Sequence, residues 1–65
     1  RLDPVETTAG AQQRLNNLGF ACGTESGELT SRTQRALRSF QSMYGLEVTG
    51  EPNEETTQQI RDLFP

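Results

Sequence analysis

The chain contains no histidine, no lysine and no tryptophan, and its one cysteine is Cys22. A single cysteine forms no internal disulfide and supplies no pair of thiolates to a structural metal. A lone buried thiol usually acts as a small hydrophobic side chain, and we expect this role for Cys22. A cysteine or serine nucleophile would also lack histidine as its base. We therefore expect a protein that is not an enzyme, with no catalytic residue, no metal site and no cofactor.

The chain is also poor in apolar residues. Only 31% of its 65 residues are hydrophobic and four are aromatic. A domain of this size buries only ~60% of the surface that its unfolded chain exposes, so nearly every large apolar side chain must join one core. Few remain to line an enclosed small-molecule pocket. No apolar run approaches the ~20 residues that a membrane-spanning helix needs.

The charge balance is acidic, with six arginines against nine acidic residues and a net charge of -3. Such a domain repels the phosphate backbone of nucleic acids, so we expect no nucleic-acid partner. Glu54 and Glu55 are neighbours on a predicted helix and point about 100° apart, unlike a catalytic acid–base pair. Glu25 and Glu28 lack EF-hand spacing. The chain shows no signal peptide and does not begin with Met. We expect one domain over residues 1–65, with its core at about 8–64, excised from a longer protein.

The first of three predicted helices begins at residues 3–6, or it begins at about Thr7 or Thr8 after a turn at residues 3–6. Gly10 weakens the earlier start. Gly19 is placed to end the helix as a left-handed C-terminal cap. Apolar and small residues recur at spacings of three and four along this helix: Thr8, Ala11, Leu15 and Leu18.

The second predicted helix begins with Thr30 or Ser31 as its cap and runs to about Tyr44, before Gly45. Arg35 and Arg38 point away from its inner face, and Arg32 lies at the flank of that face. One face gathers the residues expected to enter the core: Thr33, Ala36, Leu37, Phe40 and Tyr44.

The third predicted helix is capped by Asn53, and its first turn carries Glu54 and Glu55, which complement the helix dipole. Residues 46–52 before it form an extended stretch and turn, with Leu46 and Val48 pointing inward. The inner face of the helix is expected to contain Thr57, Ile60, Leu63 and Phe64. The fold class is therefore all-α, a small closed three-helix bundle.

The ordered motifs resemble the peptidoglycan-binding domain family over about residues 8–63. The residues that match are Ala11-Gln12, Leu15 to Phe20, Gly27, Leu29, Thr33, Ala36-Leu37, Phe40-Gln41, Gly45-Leu46, Thr49-Gly50 and Thr56 to Ile60. Most of these fill the core or make turns, and Thr33 and Gln41 are expected to hydrogen-bond loop backbone. The chain departs from the family pattern at Ser26, which stands in place of aspartate, at Thr30-Ser31, which replace Gly-Pro, and at Ala11, which replaces leucine.

The resemblance implies a bacterial cell-wall module that binds peptidoglycan and targets an attached domain to the wall. It implies a periplasmic or secreted location in the cell envelope, and we expect an isolated domain to be monomeric. The alternative is a protein-interaction adaptor of a secreted or secretion-system protein that keeps the fold without glycan binding. Loop 23–31, the start of the second helix and segment 46–50 are expected to lie together. The ligand-binding residues predicted there are Ser26, Thr30, Arg32, Tyr44 and Thr49.

Overall fold

The computed structural model describes residues 2–65 and contains three α-helices: α1 (Thr8–Asn17), α2 (Ser31–Met43) and α3 (Glu54–Leu63). No strand occurs within these described residues, so the predicted all-α, three-helix architecture is confirmed. None of the three helices is long and apolar enough to cross a membrane.

Each helix begins at a short polar side chain that caps it. The Oγ1 of Thr7 accepts a hydrogen bond from the Gly10 amide, and the Oγ1 of Thr30 accepts one from the Thr33 amide. The Oδ1 of Asn53 does the same for α3, at 3.0 Å from the Thr56 nitrogen. Such caps satisfy amides that have no partner inside the helix. The later of the two predicted starts of α1 is correct, because residues before it form a turn that joins the Thr7 amide to the Pro4 carbonyl.

The ends of α1 and α2 are built alike. At Gly19, φ is 96°, and the next amide, that of Phe20, donates to the carbonyl of Leu15 at 2.8 Å. The amide of Leu46, after Gly45, donates to the carbonyl of Gln41 at 2.8 Å. This is the Schellman arrangement, in which a glycine in the left-handed region lets the chain turn back on its helix. It packs Phe20 and Leu46 against the core.

One hydrophobic core lies between the helices and takes in the N-terminal turn. Phe40, Leu15, Leu37 and Ile60 are its largest fully buried apolar side chains, and Phe20 meets Phe40 edge to face at 5.4 Å between ring centroids. Cys22 is buried among them, as predicted. The remaining buried apolar side chains are Val5, Ala11 and Ala36.

Three predicted inner-face residues lie at the edge of the core instead. Val48 is 51% exposed, because the hydrogen bonds that hold Thr49 and Gly50 to α2 turn the preceding side chain outward. Leu63 is 38% exposed in the last turn of α3, beyond fully buried Ile60. Tyr44, also 38% exposed, covers one side of Phe40 with its ring. The expectation that Val48 points inward is therefore wrong.

Candidate binding groove

Two fully buried glutamines hold the two long loops to the helices. In α1, the Oε1 of Gln12 accepts from the Gly27 amide at 2.8 Å. Its Nε2 donates to the Glu28 carbonyl and to the Thr33 Oγ1. Both ends of this buried amide are therefore satisfied, as burial of a polar group requires. The loop before α2 is fixed by a side chain that lies 15 residues or more away in sequence.

Gln41 of α2 performs the same task for the loop before α3. Its Oε1 accepts from the amides of Thr49 and Gly50, both at 2.9 Å. Its Nε2 donates to Thr49 Oγ1, to the Glu51 carbonyl and to Thr56 Oγ1. The prediction that Thr33 and Gln41 serve loop structure is confirmed, whereas Gln12 was not expected to share this role.

The parallel roles reflect an internal repeat in the sequence. Gly27, Glu28, Thr30 and Thr33 have the same spacing as Gly50, Glu51, Asn53 and Thr56. In each set the glycine amide and the glutamate carbonyl bind a buried glutamine, and the third residue caps a helix. The hydroxyl of the last residue accepts a hydrogen bond from the Nε2 of the same glutamine. The repeat was visible in the sequence, but it does not identify the two glutamines, which lie 15 and 9 residues before their glycines.

The structure does not bring the five predicted ligand-binding residues into one site. Thr30 and Tyr44 flank opposite ends of α2 and are separated by about 20 Å along its axis. Segment 49–50 lies beside Gln34 and Arg38, since a Cβ on Gly50 would lie 2.7 Å from Arg38 Nη1. Arg38 is about 120° around the helix from Arg32. Loop 23–31 is held by Gln12 of α1, whereas segment 46–50 is held by Gln41 of α2.

Three of the five residues have contacts that stabilise the loops. The Thr30 hydroxyl caps α2, and the Thr49 hydroxyl accepts from Gln41 and from the Glu51 amide. The Ser26 hydroxyl accepts from the Glu28 amide at 3.2 Å within an exposed loop. Arg32 differs from these three because no hydrogen bond or ion pair engages its guanidinium within residues 2–65.

Arg32 lies in an open groove between the start of α2 and the turn after α1. The groove has a volume of about 440 Å³, and we call it the α2 groove. Its floor includes the small side chain of Ala36, and Phe20 forms one wall. The stem of Arg32 passes over Gly23, where a Cβ would lie 3.1 Å from Arg32 Cδ. The groove is lined by Gly19, Phe20, Ala21, Arg32, Arg35, Ala36 and Ser39.

Arg35 was expected to point away from the inner face of α2 and was not among the predicted ligand-binding residues, yet it lines the α2 groove with Arg32. The two arginines are about 60° apart around the helix, and both line the groove, whereas Arg38 does not. The turn at residues 19–21, which includes Phe20, lies beside α2. A side chain of α2 that points away from the core therefore lines the groove between the helix and this turn.

The side chains of the α2 groove are chemically suited to binding anions and polar groups. Arginine forks bind carboxylates through two parallel hydrogen bonds, and an aromatic wall accepts apolar or sugar C–H groups. Cys22 lies nearby in the core, and burial, with a smaller contribution from Glu25, raises the pKa of its thiol to about 11. The thiolate is the reactive form of cysteine, so this thiol is inert near neutral pH. Within residues 2–65, no three of the potential metal-binding side chains gather as a site.

A second open groove lies against α3. It is lined by Glu6, Pro52, Glu54, Thr57, Gln58 and Arg61. Its arginine, Arg61, is already paired with Glu6 and with the side chain of Gln58. A charged group that has its partner within the protein offers less to a ligand. The α2 groove is therefore the stronger candidate.

Comparison with known proteins adds one finding. The family model described as "Putative peptidoglycan binding domain" matches residues 6–60, which include all three helices up to Ile60 and the whole α2 groove. A search of the curated proteins and of the solved structures finds no match.

Proposed function

The chain belongs to the peptidoglycan binding domain family, and on this premise we propose that it is a non-catalytic module that binds bacterial peptidoglycan and holds an attached domain or protein at the cell wall. The proposed place of action is the cell envelope, in the periplasm or outside the cell. The proposed working form of the isolated domain is a monomer. No resident cofactor is part of the proposal.

The observation that supports this proposal is the α2 groove. Peptidoglycan offers sugar C–H faces, amides and carboxylates, which match an aromatic wall, hydroxyls and arginine forks. The groove places Phe20, Arg32 and Ser39 at one open surface. Of the five residues predicted as ligand-binding, Arg32 keeps the central place in the proposal. Ser26 and Thr30 precede the groove in the loop, and Tyr44 and Thr49 lie toward the other end of α2.

Co-sedimentation of the folded domain with insoluble peptidoglycan sacculi tests the proposal. We expect saturable binding that Arg32→Ala weakens by about five- to tenfold, since a hydrogen bond to a charged group contributes about 1.5–3 kcal/mol and an open groove reduces this. Arg38→Ala is the matched control, because it removes the same charge from another side of α2. Circular dichroism verifies that both variants fold. Absence of saturable binding by the folded wild-type domain would overturn the proposal.

The alternative is a protein-interaction adaptor that retains the fold without glycan binding. It is supported by exposed apolar side chains at and after the C-terminal end of α2, where Met43 is 69% exposed, Val48 51% and Tyr44 38%. The two functions predict different effects of the same substitution on binding. Met43→Ser should leave sacculus binding unchanged if the α2 groove is the site, and it should weaken capture of a protein partner if the adaptor proposal is correct.

A further inference from the structure

Charge is distributed unevenly between α2 and the rest of the chain. All nine acidic residues lie outside α2, whereas α2 carries Arg32, Arg35 and Arg38 and no acidic residue. The domain as a whole is therefore acidic while one helix is basic. The Cβ atoms of two residues three positions apart on a helix are about 5–6 Å apart, so Arg32 and Arg35 repel each other unless an anion lies between them.

The carboxylate of Glu25 forms no ion pair with Arg32 or Arg35. Glu25 lies close enough to influence the Cys22 thiol, as does Arg32. Its Oε2, however, accepts a hydrogen bond from the Asn16 side chain at 2.9 Å. The ion pair within residues 2–65 joins Arg61 to Glu6, in the other groove. Neither arginine of the α2 groove has a carboxylate partner among the described residues, and both side chains line the open groove.

The groove walls limit what can approach the two arginines. Phe20 is anchored by the turn at Gly19 and by its edge-to-face contact with Phe40. Ala36 leaves the floor shallow. A ligand that places a carboxylate between two guanidinium groups can therefore lay the neighbouring methyl or methylene group against the Phe20 ring. A neutral sugar would leave both positive charges without an anion, and the bidentate geometry of the forks favours a carboxylate.

We infer that the α2 groove is a carboxylate site, in which Arg32 and Arg35 together bind one free carboxylate of the peptidoglycan stem peptide against the ring of Phe20. This inference rests on the proposed function and specifies the part of the wall that is recognised. The glycan strand then contributes contacts around the groove, while the contact with the peptide carboxylate determines specificity.

The test uses sacculi treated with hydrofluoric acid, which removes phosphate polymers and leaves carboxylates as the anions. One half of each preparation is amidated with carbodiimide and ammonium, so that its free carboxylates become neutral amides. Binding is measured by co-sedimentation for the wild type, for Arg32→Gln/Arg35→Gln, for Arg32→Lys/Arg35→Lys and for Arg38→Gln. The lysine variant keeps the charge and loses the planar fork. Arg38→Gln changes the charge of α2 outside the groove.

We expect amidation to weaken wild-type binding by about tenfold or more, and the double glutamine variant to show the same loss on untreated sacculi. The lysine variant should also bind weakly, and Arg38→Gln should bind like the wild type. Equal binding to native and amidated sacculi would overturn the carboxylate site and leave peptidoglycan binding intact. An equal loss in Arg38→Gln and the double glutamine variant would overturn it in favour of diffuse charge attraction. No binding to either preparation would overturn both proposals.

Discussion

Buried glutamine side chains stabilise this small domain. Gln12 and Gln41 are both fully buried, and each joins a helix to the loop that leads into the next helix. A hydrophobic residue of similar size would fill the same space. It would also leave loop amides and carbonyls without partners, and an unsatisfied buried polar group costs about 1–3 kcal/mol. The two glutamines therefore stabilise the fold together with the apolar core.

Gln41→Ala tests this role. The change removes the partners of Thr49, Gly50 and Thr56 and should lower the free energy of unfolding by about 2–4 kcal/mol, the sum of several modest hydrogen bonds. Urea denaturation followed by circular dichroism gives the value. Gln58→Ala is the control, because this glutamine is exposed and should cost less than about 0.5 kcal/mol. Equal effects of the two changes would contradict the role of Gln41.

Cys22 makes stability depend on pH in the alkaline range. Burial raises the pKa of its thiol from 9.0 to about 11, so the folded state favours the neutral thiol. The resulting stabilisation is complete below pH 9 and is lost as pH rises towards 11, because the unfolded chain releases the proton more readily. The melting temperature of the wild type should therefore fall more steeply over this range than that of Cys22→Ala. Parallel curves for the two proteins would show that the thiol makes no such contribution.

At the level of elements, the N-terminal segment packs closely against α1 because Gly10 has no side chain. A Cβ at this position would lie 1.9 Å from the Pro4 carbonyl oxygen and 2.7 Å from that of Asp3. Both contacts are with backbone, which cannot rotate away as a side chain can. The close approach allows Val5 to enter the core, where it is 5% exposed.

Gly10→Ala separates helix propensity from packing. Propensity alone predicts a gain of about 1 kcal/mol, since alanine is the better helix former. We expect a net loss of about 1–3 kcal/mol instead, because the segment before α1 must move and withdraw Val5. Urea denaturation again measures the change. Ser42→Ala, at an exposed position of α2, serves as the control and should be neutral or slightly stabilising. A stabilised Gly10→Ala variant would contradict the packing explanation.

For the whole molecule, one side chain of α1 binds the backbone of both end regions. Arg14 is 8% exposed, and its guanidinium donates to the carbonyls of Asp3, Gly10 and Phe64. These bonds tie both ends of the described chain to the middle of the domain. Five donors in a planar fork suit this task better than the single ammonium of lysine.

The single core makes the fold depend on Phe40. This ring is fully buried and contacts both Phe20 and Tyr44. Truncation to alanine costs about 3–5 kcal/mol in typical cores, which equals the stability that a core of this size supplies. We expect Phe40→Ala to be largely unfolded at 25 °C by circular dichroism. Met43→Ala on the same helix, at a 69% exposed position, should remain folded. A folded Phe40→Ala domain would mean that other contacts carry more of the stability.

The sequence by itself determined the helices and most of the core. Caps, glycine ends and apolar spacing act over three to six residues, so Thr30, Asn53, Gly19 and the buried positions of Leu15 and Phe40 could be read locally. The repeat around Gly27 and Gly50 was equally present in the sequence. The family follows from the same ordered motifs.

Only the tertiary structure decided where polar and charged side chains meet. Gln12 and Gln41 reach partners 8 to 21 residues away, and no local pattern distinguishes a buried glutamine from an exposed one. Arg32 and Arg35 share a groove because the turn after α1 packs beside α2, while Thr49 lies by another side of that helix. Such placement depends on the packing of whole elements, which sets distances that sequence spacing does not contain.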